Sequence, residues 1–393
     1  MRAIKKILFV GFYPNEKEPY LRSFFRELIC GMADLGMECT VIAPVSVTHY
    51  GREILEIPRL DEDITRKGNR IRVFHPRYVS FSSVSIGKFN TEHFSERVFE
   101  DAAWKQVRAL NESFDCVYGH FFLYGGLAAV RIGRALDIPA FLAYGECDFE
   151  SQVYRTYGMP AKKQLSGLSG IVSVSTKNTK ELNALGIVPG VPILTEPNAV
   201  DETLFFKQDR AACRQKLGIP LEPFVVGFVG GFIERKGDKR LLKAAQPLED
   251  VFLAFAGKGD DPPGGERVLF CKPLRHEDVC TFLNAIDVFC LPTLSEGSCN
   301  AVAEAMACGC AIISSRLPFN DDVLTDRNSI RIDPSSVEEI REAILLLKEN
   351  RSLREALSEQ ALIDSHSHTI SNRARSILGF LKECGEQYDN QQR

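Results

Sequence analysis

Residues 288–309 read VFCLPTLSEGSCNAVAEAMACG and combine an apolar run, a polar loop and a helix-forming run. The apolar run at 288–291 predicts a buried strand. The loop that follows contains Glu296, and either Ser298 or Asn300 is suited to begin the next helix. A buried strand that leads through a short loop into a helix is the repeating unit of doubly wound α/β proteins.

The same alternation of apolar and amphipathic runs occupies most of the chain. Strands are predicted in the first half at 7–11, 39–43, 116–118, 140–143, 171–174 and 192–194, and in the second half at 224–230, 251–256, 268–270, 288–291 and 311–314. Helices are predicted between them at 23–35, 94–110, 126–136 and 176–185, then at 239–245, 277–285, 301–308 and 337–348. Continuous apolar strands with helical crossovers predict parallel sheets that are covered on both faces. Residues 45–85 show no strong periodicity and are predicted to form a long loop or a small subdomain.

Prolines cluster between the two alternating patterns, which predicts a domain boundary near 195–222. We therefore expect two Rossmann-like domains, at 1–195 and 196–368, whose sheets face a central cleft. The segment 369–393 is expected to form a helix that packs on either domain, with a frayed polar tail after Gly385. Ligands of such sheets bind at the carboxyl ends of the strands, so the cleft is the expected site.

The composition excludes several classes of protein. Hydrophobic residues make up 45% and charged residues 25% of the 393 residues, which is typical of a globular protein rather than a disordered or fibrous one. The net charge of −4 argues against non-specific nucleic-acid binding. Residues 1–190 carry 24 basic and 21 acidic side chains. This slightly basic half is either ordinary surface scatter or a face for an anionic partner such as a membrane surface.

The 12 cysteines include no C-x-x-C pair, and most of them lie in apolar runs where a free thiol behaves as a small hydrophobe. The first 14 residues lack the pattern of a signal peptide, and no run approaches the ~18 apolar residues of a membrane span. We therefore expect a cytoplasmic protein in a reducing compartment, with peripheral contact at the inner face of the cytoplasmic membrane as an extension of that expectation.

The glycine-rich run VGFVGGFIERKG at 226–237 ends a predicted strand and begins a predicted helix. It has neither the spacing of a dinucleotide-binding loop nor the G-K-[ST] of a P-loop. Gly230 and Gly231 allow a ligand to approach the backbone closely, and Arg235 and Lys236 add positive charge. This combination suits a phosphate-bearing ligand; the alternative is a plain glycine turn beside two solvated bases.

Two glutamates flank the loop and first turns of the helix that follows the strand at 288–291. Glu296 comes just after the strand, and Glu304 lies eight residues later in the apolar run AVAEAMA. A carboxylate among so many Ala and Met side chains needs a partner to be stable. Free helix amides for phosphate and carboxylates for hydroxyls would together suit an anionic sugar ligand. A glycosidase pair is disfavoured, because such enzymes do not usually place one carboxylate inside a helix of a doubly wound sheet.

At these residues the chain resembles the retaining glycosyltransferases of family 4, which have the GT-B fold. The run at 296–304, EGSCNAVAE, matches their E-x7-E signature, and EAMACG at 304–309 matches its usual continuation. Residues 12–44 are similar to the family's first loop, helix and second strand. The runs PNAVDETLF at 197–205 and RQKLGIP at 214–220 are similar to its interdomain segment, with Ala in place of one usual Gly. The likeness is to enzymes of capsular and surface polysaccharide assembly.

The resemblance implies a nucleotide-diphosphate sugar as donor substrate and assigns a role to each matching residue. It implies that Glu304 binds the ribose hydroxyls, Glu296 the hydroxyls of the transferred sugar and Lys236 the diphosphate. Gly231 occupies the position where the family usually has a second phosphate-binding Arg. Either Arg235 replaces that Arg, or Lys236 and the helix amides suffice. The full donor-binding set that the resemblance implies is Gly11, Gly230, Gly231, Arg235, Lys236, Glu296, Gly297, Ser298, Asn300, Ala301 and Glu304.

In the N-terminal half the resemblance places Gly11 near the donor phosphates and His120 near the donor sugar. The alternative for His120 is a packed histidine beside two phenylalanines. Gly145 and Asp148 are similar to residues on the family's acceptor side. The implied catalytic residues are His120, Glu296 and Lys236. No cofactor or metal is expected, since the acidic pairs Asp260–Asp261 and Asp321–Asp322 are adjacent acids rather than D-x-D motifs and cationic side chains could neutralise the diphosphate.

The function that follows from the resemblance is transfer of a sugar to a hydroxyl of a glycan or lipid-linked acceptor, with retention of anomeric configuration. The family expectation is a front-face path in which a phosphate oxygen takes the proton of the acceptor. Two alternatives stay open on the sequence. The first is a non-catalytic partner that binds nucleotide sugars, suggested by the Gly at position 231. The second is a sugar-nucleotide epimerase or a phosphorylase of the same architecture.

Overall fold

The computed structural model describes residues 4–19, 22–81, 84–86, 89–147, 165–186 and 188–392. The chain divides into two compact units. The N-terminal unit consists of Met1–Glu196 together with Ser371–Arg393, and the C-terminal unit is Pro197–Ile370. Both units are α/β, and each contains its own parallel sheet.

The N-terminal unit is built on an eight-stranded sheet with the order β12-β11-β10-β9-β1-β2-β5-β4. All neighbours pair in parallel except β4, which is antiparallel to β5. The strands of this unit, including two short additional pairs, are β1 Lys6–Val10, β2 Glu38–Ile42, β3 Val45–Ser46, β4 Leu60–Ile64, β5 Arg70–Phe74, β6 Arg77–Tyr78, β7 Ser85–Ile86, β8 Phe89–Asn90, β9 Cys116–His120, β10 Ala140–Tyr144, β11 Gly170–Ser173 and β12 Ile193–Thr195.

Helices cover the N-terminal sheet. They are α1 Ser23–Asp34, α2 Val47–Tyr50, α3 Glu92–Leu110, α4 Leu127–Leu136 and α5 Thr176–Leu185, with a 3₁₀ turn at Gly51–Glu56 and a π-type turn at Phe121–Gly126. Successive side chains of β1 enter two different cores, because side chains alternate between the faces of a strand. Leu8 and Val10 belong to one core, and Ile7 and Phe9 belong to the other. Both faces of the sheet are therefore buried, which explains the continuous apolar runs.

The C-terminal unit contains a six-stranded parallel sheet with the order β15-β14-β13-β16-β17-β18. Its strands are β13 Phe224–Val229, β14 Val251–Ala256, β15 Val268–Lys272, β16 Val288–Leu291, β17 Ala311–Ser315 and β18 Ile330–Ile332. Its helices are α6 Arg210–Leu217, α7 Asp238–Ala245, α8 His276–Ala285, α9 Asn300–Ala307, α10 Val337–Glu349 and α11 Arg351–Ser365, with a 3₁₀ turn at Pro318–Asn320. This strand order is that of a Rossmann sheet, with a switch point between β13 and β16.

The last helix, α12 Ile370–Gln392, belongs to the N-terminal unit apart from its first residue. Its apolar side chains Ala374, Ile377, Leu378 and Leu381 recur at helical spacing and enter the core that also holds Ile7 and Phe9. The helix continues past Gly385, where the sequence predicts fraying, and the Tyr388 hydroxyl donates to Asp137 at 2.9 Å.

Residues 45–85 differ from their predicted loop or subdomain, because part of this segment extends the main sheet. β5 pairs in parallel with β2, and β4 pairs with β5 at the sheet edge. The side chains of β4 alternate between exposed and half-buried, so the strand shows no apolar signal. Helix α11 was also not predicted, and its only fully buried side chains are Leu357, Ala361 and Ser365. Across the described ranges, no helix has the length and apolarity needed to cross a membrane.

Candidate functional site

In the C-terminal unit the predicted donor residues follow the two strands that flank the switch point. The loop after β13 contains Gly230, Gly231, Arg235 and Lys236, and the loop after β16 contains Glu296. Because β13 and β16 are parallel neighbours, their carboxyl ends lie side by side. This is the position at which doubly wound sheets bind ligands.

The two loops are joined by a charged cluster. The Lys236 ammonium lies 2.5 Å from Glu296 Oε1, and the Arg235 guanidinium lies 3.0 Å from the same oxygen. The Thr293 hydroxyl also donates to Glu296 Oε1, at 2.8 Å. Only 8% of the Glu296 side chain is exposed, so its charge requires such compensation. Arg235 therefore points toward the cluster, as required if it replaces the phosphate-binding Arg that is usual at position 231.

The environment of Lys236 favours its charged form. Burial alone would lower the pKa of this ammonium, but the neighbouring Cys299 and Glu296 raise it, and the pKa stands above its ordinary value. Lys236 is therefore protonated at neutral pH. A protonated lysine with 18% of its side chain exposed can exchange its protein carboxylate for a ligand phosphate.

The backbone fixes the position of this lysine. Leu294 N donates to the Arg235 carbonyl at 2.8 Å and ties the two loops together. Gly237 has a φ of +84°, and a Cβ at that position would lie 2.6 Å from the Pro292 carbonyl oxygen. At Gly231, by contrast, the nearest atom to a Cβ would be 3.9 Å away. The position where the family has its second phosphate-binding Arg thus has room for a side chain.

The predicted ribose ligand, Glu304, has a partner that the sequence analysis did not identify. His276 Nε2 lies 3.0 Å from Glu304 Oε1, and the His276 ring packs against Phe205 with centroids 5.2 Å apart. His276 is the first residue of α8, whereas Glu304 lies in the middle of α9. The contact satisfies one oxygen of the nearly buried carboxylate and leaves the other oxygen for a ligand hydroxyl.

The start of α9 is held by the segment that enters the C-terminal unit. Asn198 N donates to the Ser298 hydroxyl at 3.0 Å, and Asn198 Nδ2 donates to Asn300 Oδ1 at 2.8 Å. No side chain of the described chain caps the amino end of α9. Gly297 and Ala301 lie in the same loop and first turn. The structure thus brings the C-terminal members of the predicted donor set around the carboxyl ends of β13 and β16.

In the N-terminal unit the corresponding switch point lies between β1 and β9. Gly11 follows β1 and His120 ends β9, and a Cβ at Gly11 would lie 3.2 Å from the His120 Cβ. These two predicted residues are therefore adjacent. The His120 ring lies 4.5 Å from the Phe25 ring and 4.5 Å from the Phe121 ring, measured between centroids.

His120 is buried, and neither of its ring nitrogens has a hydrogen-bond partner among the residues that the structure describes. Burial, followed by the charges of Arg22 and Arg373, holds its pKa well below the ordinary value. The imidazole is therefore neutral at physiological pH. His120 packs among phenylalanines, as the alternative interpretation of the sequence describes, and its position near the donor sugar stays a prediction.

Gly145, predicted on the acceptor side, follows β10 and lies next to a buried carboxylate. Glu146 accepts hydrogen bonds from Phe122 N at 2.5 Å and Gly145 N at 2.9 Å. Burial raises the pKa of Glu146 to about 7, although these amide bonds act in the opposite direction. Glu146 holds the loop after β10 against the turn after β9. Asp148, the second acceptor-side prediction, lies outside the described residues.

The chain is similar to known proteins both in sequence and in fold. Residues 209–363 match the model of the family described as Glycosyl transferases group 1. The chain is 25% identical over 354 residues to the putative teichuronic acid biosynthesis glycosyltransferase TuaC of Bacillus subtilis, a match that covers 86% of this chain and 88% of TuaC.

Two solved structures show the same fold over nearly the whole chain. Sucrose-phosphate synthase from Thermosynechococcus elongatus has a TM-score of 0.77 at 15% identity, with 96% of this chain and 98% of that chain covered. Anabaena HepE, solved in complex with UDP and glucose, has a TM-score of 0.71 at 16% identity, with 96% and 100% covered. The chain thus has the GT-B fold, which consists of two Rossmann-like domains.

Proposed function

We propose that this chain is a glycosyltransferase with a group 1 domain, and that it transfers a sugar from a nucleotide-diphosphate sugar to an acceptor hydroxyl with retention of configuration. The observation that carries this proposal is the charged cluster after β13 and β16. Two cations converge there on one carboxylate at the switch point of a Rossmann sheet. HepE, which has the same fold, was solved with UDP and glucose, and this supports a nucleotide sugar as donor.

The cluster has a chemical role in each state of the site. Without a donor, Lys236 and Arg235 neutralise Glu296. When the donor binds, its diphosphate takes the two cations, and Glu296 is released to accept a hydroxyl of the transferred sugar. Negative charge grows on the leaving diphosphate as the glycosidic bond breaks. Lys236 therefore stabilises the transition state more than the ground state, which is the requirement for catalysis.

The remaining site residues bind and orient the donor. Glu304 keeps one oxygen on His276 and takes a ribose hydroxyl with the other. His120, which is neutral and has both nitrogens without a described partner, hydrogen-bonds a hydroxyl of the donor sugar. Gly11 next to it leaves the backbone open to the donor phosphates. The acceptor proton passes to a phosphate oxygen of the donor, so this path needs no protein nucleophile.

The acceptor in this proposal is a glycan or a lipid-linked glycan of surface polysaccharide or glycoconjugate synthesis. The support is the match over most of both chains with TuaC, which is named for teichuronic acid biosynthesis. The excess of basic residues in 1–190 suits a reaction at the anionic inner face of the cytoplasmic membrane.

Donor binding and retention are tested without knowledge of the acceptor. A thermal-shift panel of UDP-, GDP-, ADP- and dTDP-sugars identifies the donor, because a ligand of the native state raises the unfolding temperature. The best donor is then incubated with the protein in water, and the released sugar is followed by proton NMR before its anomers equilibrate. We expect the anomer of the donor to appear first.

Release of the opposite anomer would contradict retention, and failure of every nucleotide sugar to stabilise the protein would contradict the donor class. The same spectra distinguish an epimerase, which would convert the donor into a different nucleotide sugar. The Lys236→Ala variant is the control, since it is expected to remain folded without releasing sugar.

A further inference from the structure

A cavity lies within the N-terminal unit, and its lining does not include Gly11 or His120, the residues that the proposed donor site uses there. Its volume is ≈ 370 Å³, which is within the range of small-molecule sites. Phe12 and Tyr13 follow β1, and Ala43 and Pro44 follow β2, so the cavity opens at the carboxyl ends of two adjacent parallel strands. Ligands of such sheets bind at this edge.

Aromatic rings form much of the cavity wall. The rings that line it belong to Phe12, Tyr13, Tyr50, Tyr78, Phe81 and Tyr124. The Phe12 and Tyr124 rings pack edge to face with centroids 5.2 Å apart, which fixes their positions. Phe81 is 48% exposed and is therefore open to a ligand. Flat aromatic faces match the C–H faces of a sugar ring, which are apolar while the ring edge is polar.

A chain of hydrogen bonds positions one carboxylate in this cavity. Asn15 is 7% exposed, and its Oδ1 accepts from Lys17 N at 2.9 Å and from Glu18 N at 3.1 Å. Asn15 Nδ2 donates to the Tyr50 hydroxyl at 3.0 Å, and that hydroxyl donates to Glu18 Oε2. The loop and the Glu18 side chain are thus held before a ligand arrives.

The other oxygen of Glu18 is available to a ligand. Glu18 Oε1 lies 3.6 Å from His49 Nε2, beyond hydrogen-bond distance, and 39% of the Glu18 side chain is exposed. A carboxylate oxygen and an imidazole nitrogen at this separation can bind neighbouring hydroxyls of one sugar, the first as acceptor and the second as acceptor or donor.

The charges around the cavity disfavour an anionic ligand. The nearby Lys17 ammonium is paired with Glu56, away from the cavity lining. Arg22 lines the cavity, but its guanidinium carbon lies 4.5 Å from the centroid of the Phe121 ring. Glu18 is the carboxylate of the lining and would repel a phosphate or carboxylate group.

We propose that this cavity binds an uncharged sugar ring of the acceptor, with the aromatic side chains against its faces and Glu18 and His49 on its hydroxyls. The inference rests on the proposed function and adds the chemical class of the acceptor. It distinguishes a neutral glycan terminus from a phosphorylated or otherwise anionic acceptor.

Saturation-transfer NMR tests the cavity with simple probes. The full-length protein is mixed in turn with methyl glucoside, methyl galactoside, methyl mannoside, methyl N-acetylglucosaminide and inositol phosphate, each with and without UDP. We expect at least one methyl glycoside to receive saturation and inositol phosphate to receive less. Phe81→Ala and Glu18→Ala are each expected to lower the affinity for the glycoside by about fivefold, which is the scale of one lost contact.

Matched substitutions control for indirect effects. Phe206 is 49% exposed and lies in the other unit, and Glu16 is exposed beside the same loop. Phe206→Ala and Glu16→Ala should leave glycoside binding unchanged, and unfolding temperatures report whether every variant is folded.

The proposal is overturned if no glycoside binds, if inositol phosphate binds best, or if the cavity variants and their controls behave alike. A thermal shift with UDP on the same samples separates the two levels of inference. If UDP stabilises the protein and no sugar binds, the cavity assignment fails while the proposed function stands; if UDP also fails, the donor assignment fails with it.

Discussion

The two units place their predicted site residues at equivalent switch points, but the side chains there are charged in one unit and uncharged and aromatic in the other. At the ends of β13 and β16 the side chains are charged and already paired, with Lys236 and Arg235 on Glu296. At the ends of β1 and β9 the neutral His120 lies between phenylalanine rings. In the proposed function the charged residues of the C-terminal unit bind the diphosphate of the donor, and His120 binds a hydroxyl of its sugar.

The net charge of a unit does not determine the charge of the ligand that its site is proposed to bind. The remainder of the chain after residue 190 carries 24 basic and 31 acidic residues, yet it contains the cationic pair proposed to bind diphosphate. Contacts within 3 Å in a partly buried site outweigh a diffuse surface charge that salt screens over ~10 Å. Four experiments test the contrast between the charged site residues of the C-terminal unit and the aromatic surroundings of His120 in the N-terminal unit.

The largest effect is expected from Lys236→Ala. Removing a buried cation that faces the growing charge of the leaving group should lower the rate of sugar release from the donor by about a thousandfold. The rate is measured by NMR, and circular dichroism checks the fold. Arg235→Ala is the matched comparison and should lose about tenfold, because that side chain is 35% exposed. Full activity of a folded Lys236→Ala variant would contradict the proposal that Lys236 binds the diphosphate of the donor.

The next largest effect is expected in the N-terminal unit, where Glu146 makes the stability of the fold depend on pH. Burial raises the pKa of Glu146 to about 7, above its ordinary value of 4.5. Between these values the folded chain binds a proton that the unfolded chain does not, so this group lowers the free energy of unfolding as pH rises from about 4.5 to 7. This fall in the free energy of unfolding, which amounts to up to about 3 kcal/mol, should be absent in the Glu146→Gln variant. Urea unfolding at pH 5 and pH 8 measures it, and parallel changes in both proteins would contradict the shift.

A smaller effect is expected from His276→Ala in the C-terminal unit. Loss of the partner of Glu304 should weaken UDP binding by about tenfold, since the carboxylate is no longer oriented. Calorimetry with UDP measures the affinity, and kinetics should show the loss in KM rather than in kcat. His276→Gln retains a donor and should restore part of the affinity. Equal losses in the Ala and Gln variants would show that the contact only supports packing.

The smallest change is expected from Gly231→Arg, which restores the residue that the family usually has. The position is open and its φ is not in the left-handed region, so the substitution should fold normally. We expect UDP to bind about three times more tightly, because one exposed cation is added near the diphosphate. Unchanged affinity would indicate that Arg235 already performs that role.

Much of the fold was predictable because most strands are buried on both faces. β14 and β16 are continuous apolar runs, and their predicted bounds agree with the structure. β4 and α11 were missed for the opposite reason, since most of their side chains are exposed or only half-buried. Burial, rather than intrinsic propensity, determined which elements the pattern revealed.

The site shows a similar division. The spacing of Glu296 and Glu304 is local and can be read from one loop and the helix that follows it, and the resemblance gave them roles. His276 and Asn198 contact that helix from segments 28 and about 100 residues away in the chain, and no local pattern links them to it. The ion pairing of Arg235 with Glu296 likewise depends on two neighbouring strands. Contacts between distant segments require the three-dimensional structure.

The position of α12 has a consequence for protein synthesis. The N-terminal unit needs the last helix to complete its core, but about 170 residues of the other unit are translated in between. At ribosomal speeds this delay is on the order of ten to thirty seconds. During that interval the side of the first sheet that α12 will cover is exposed on the nascent chain. The unit that is translated first is therefore the last to be finished.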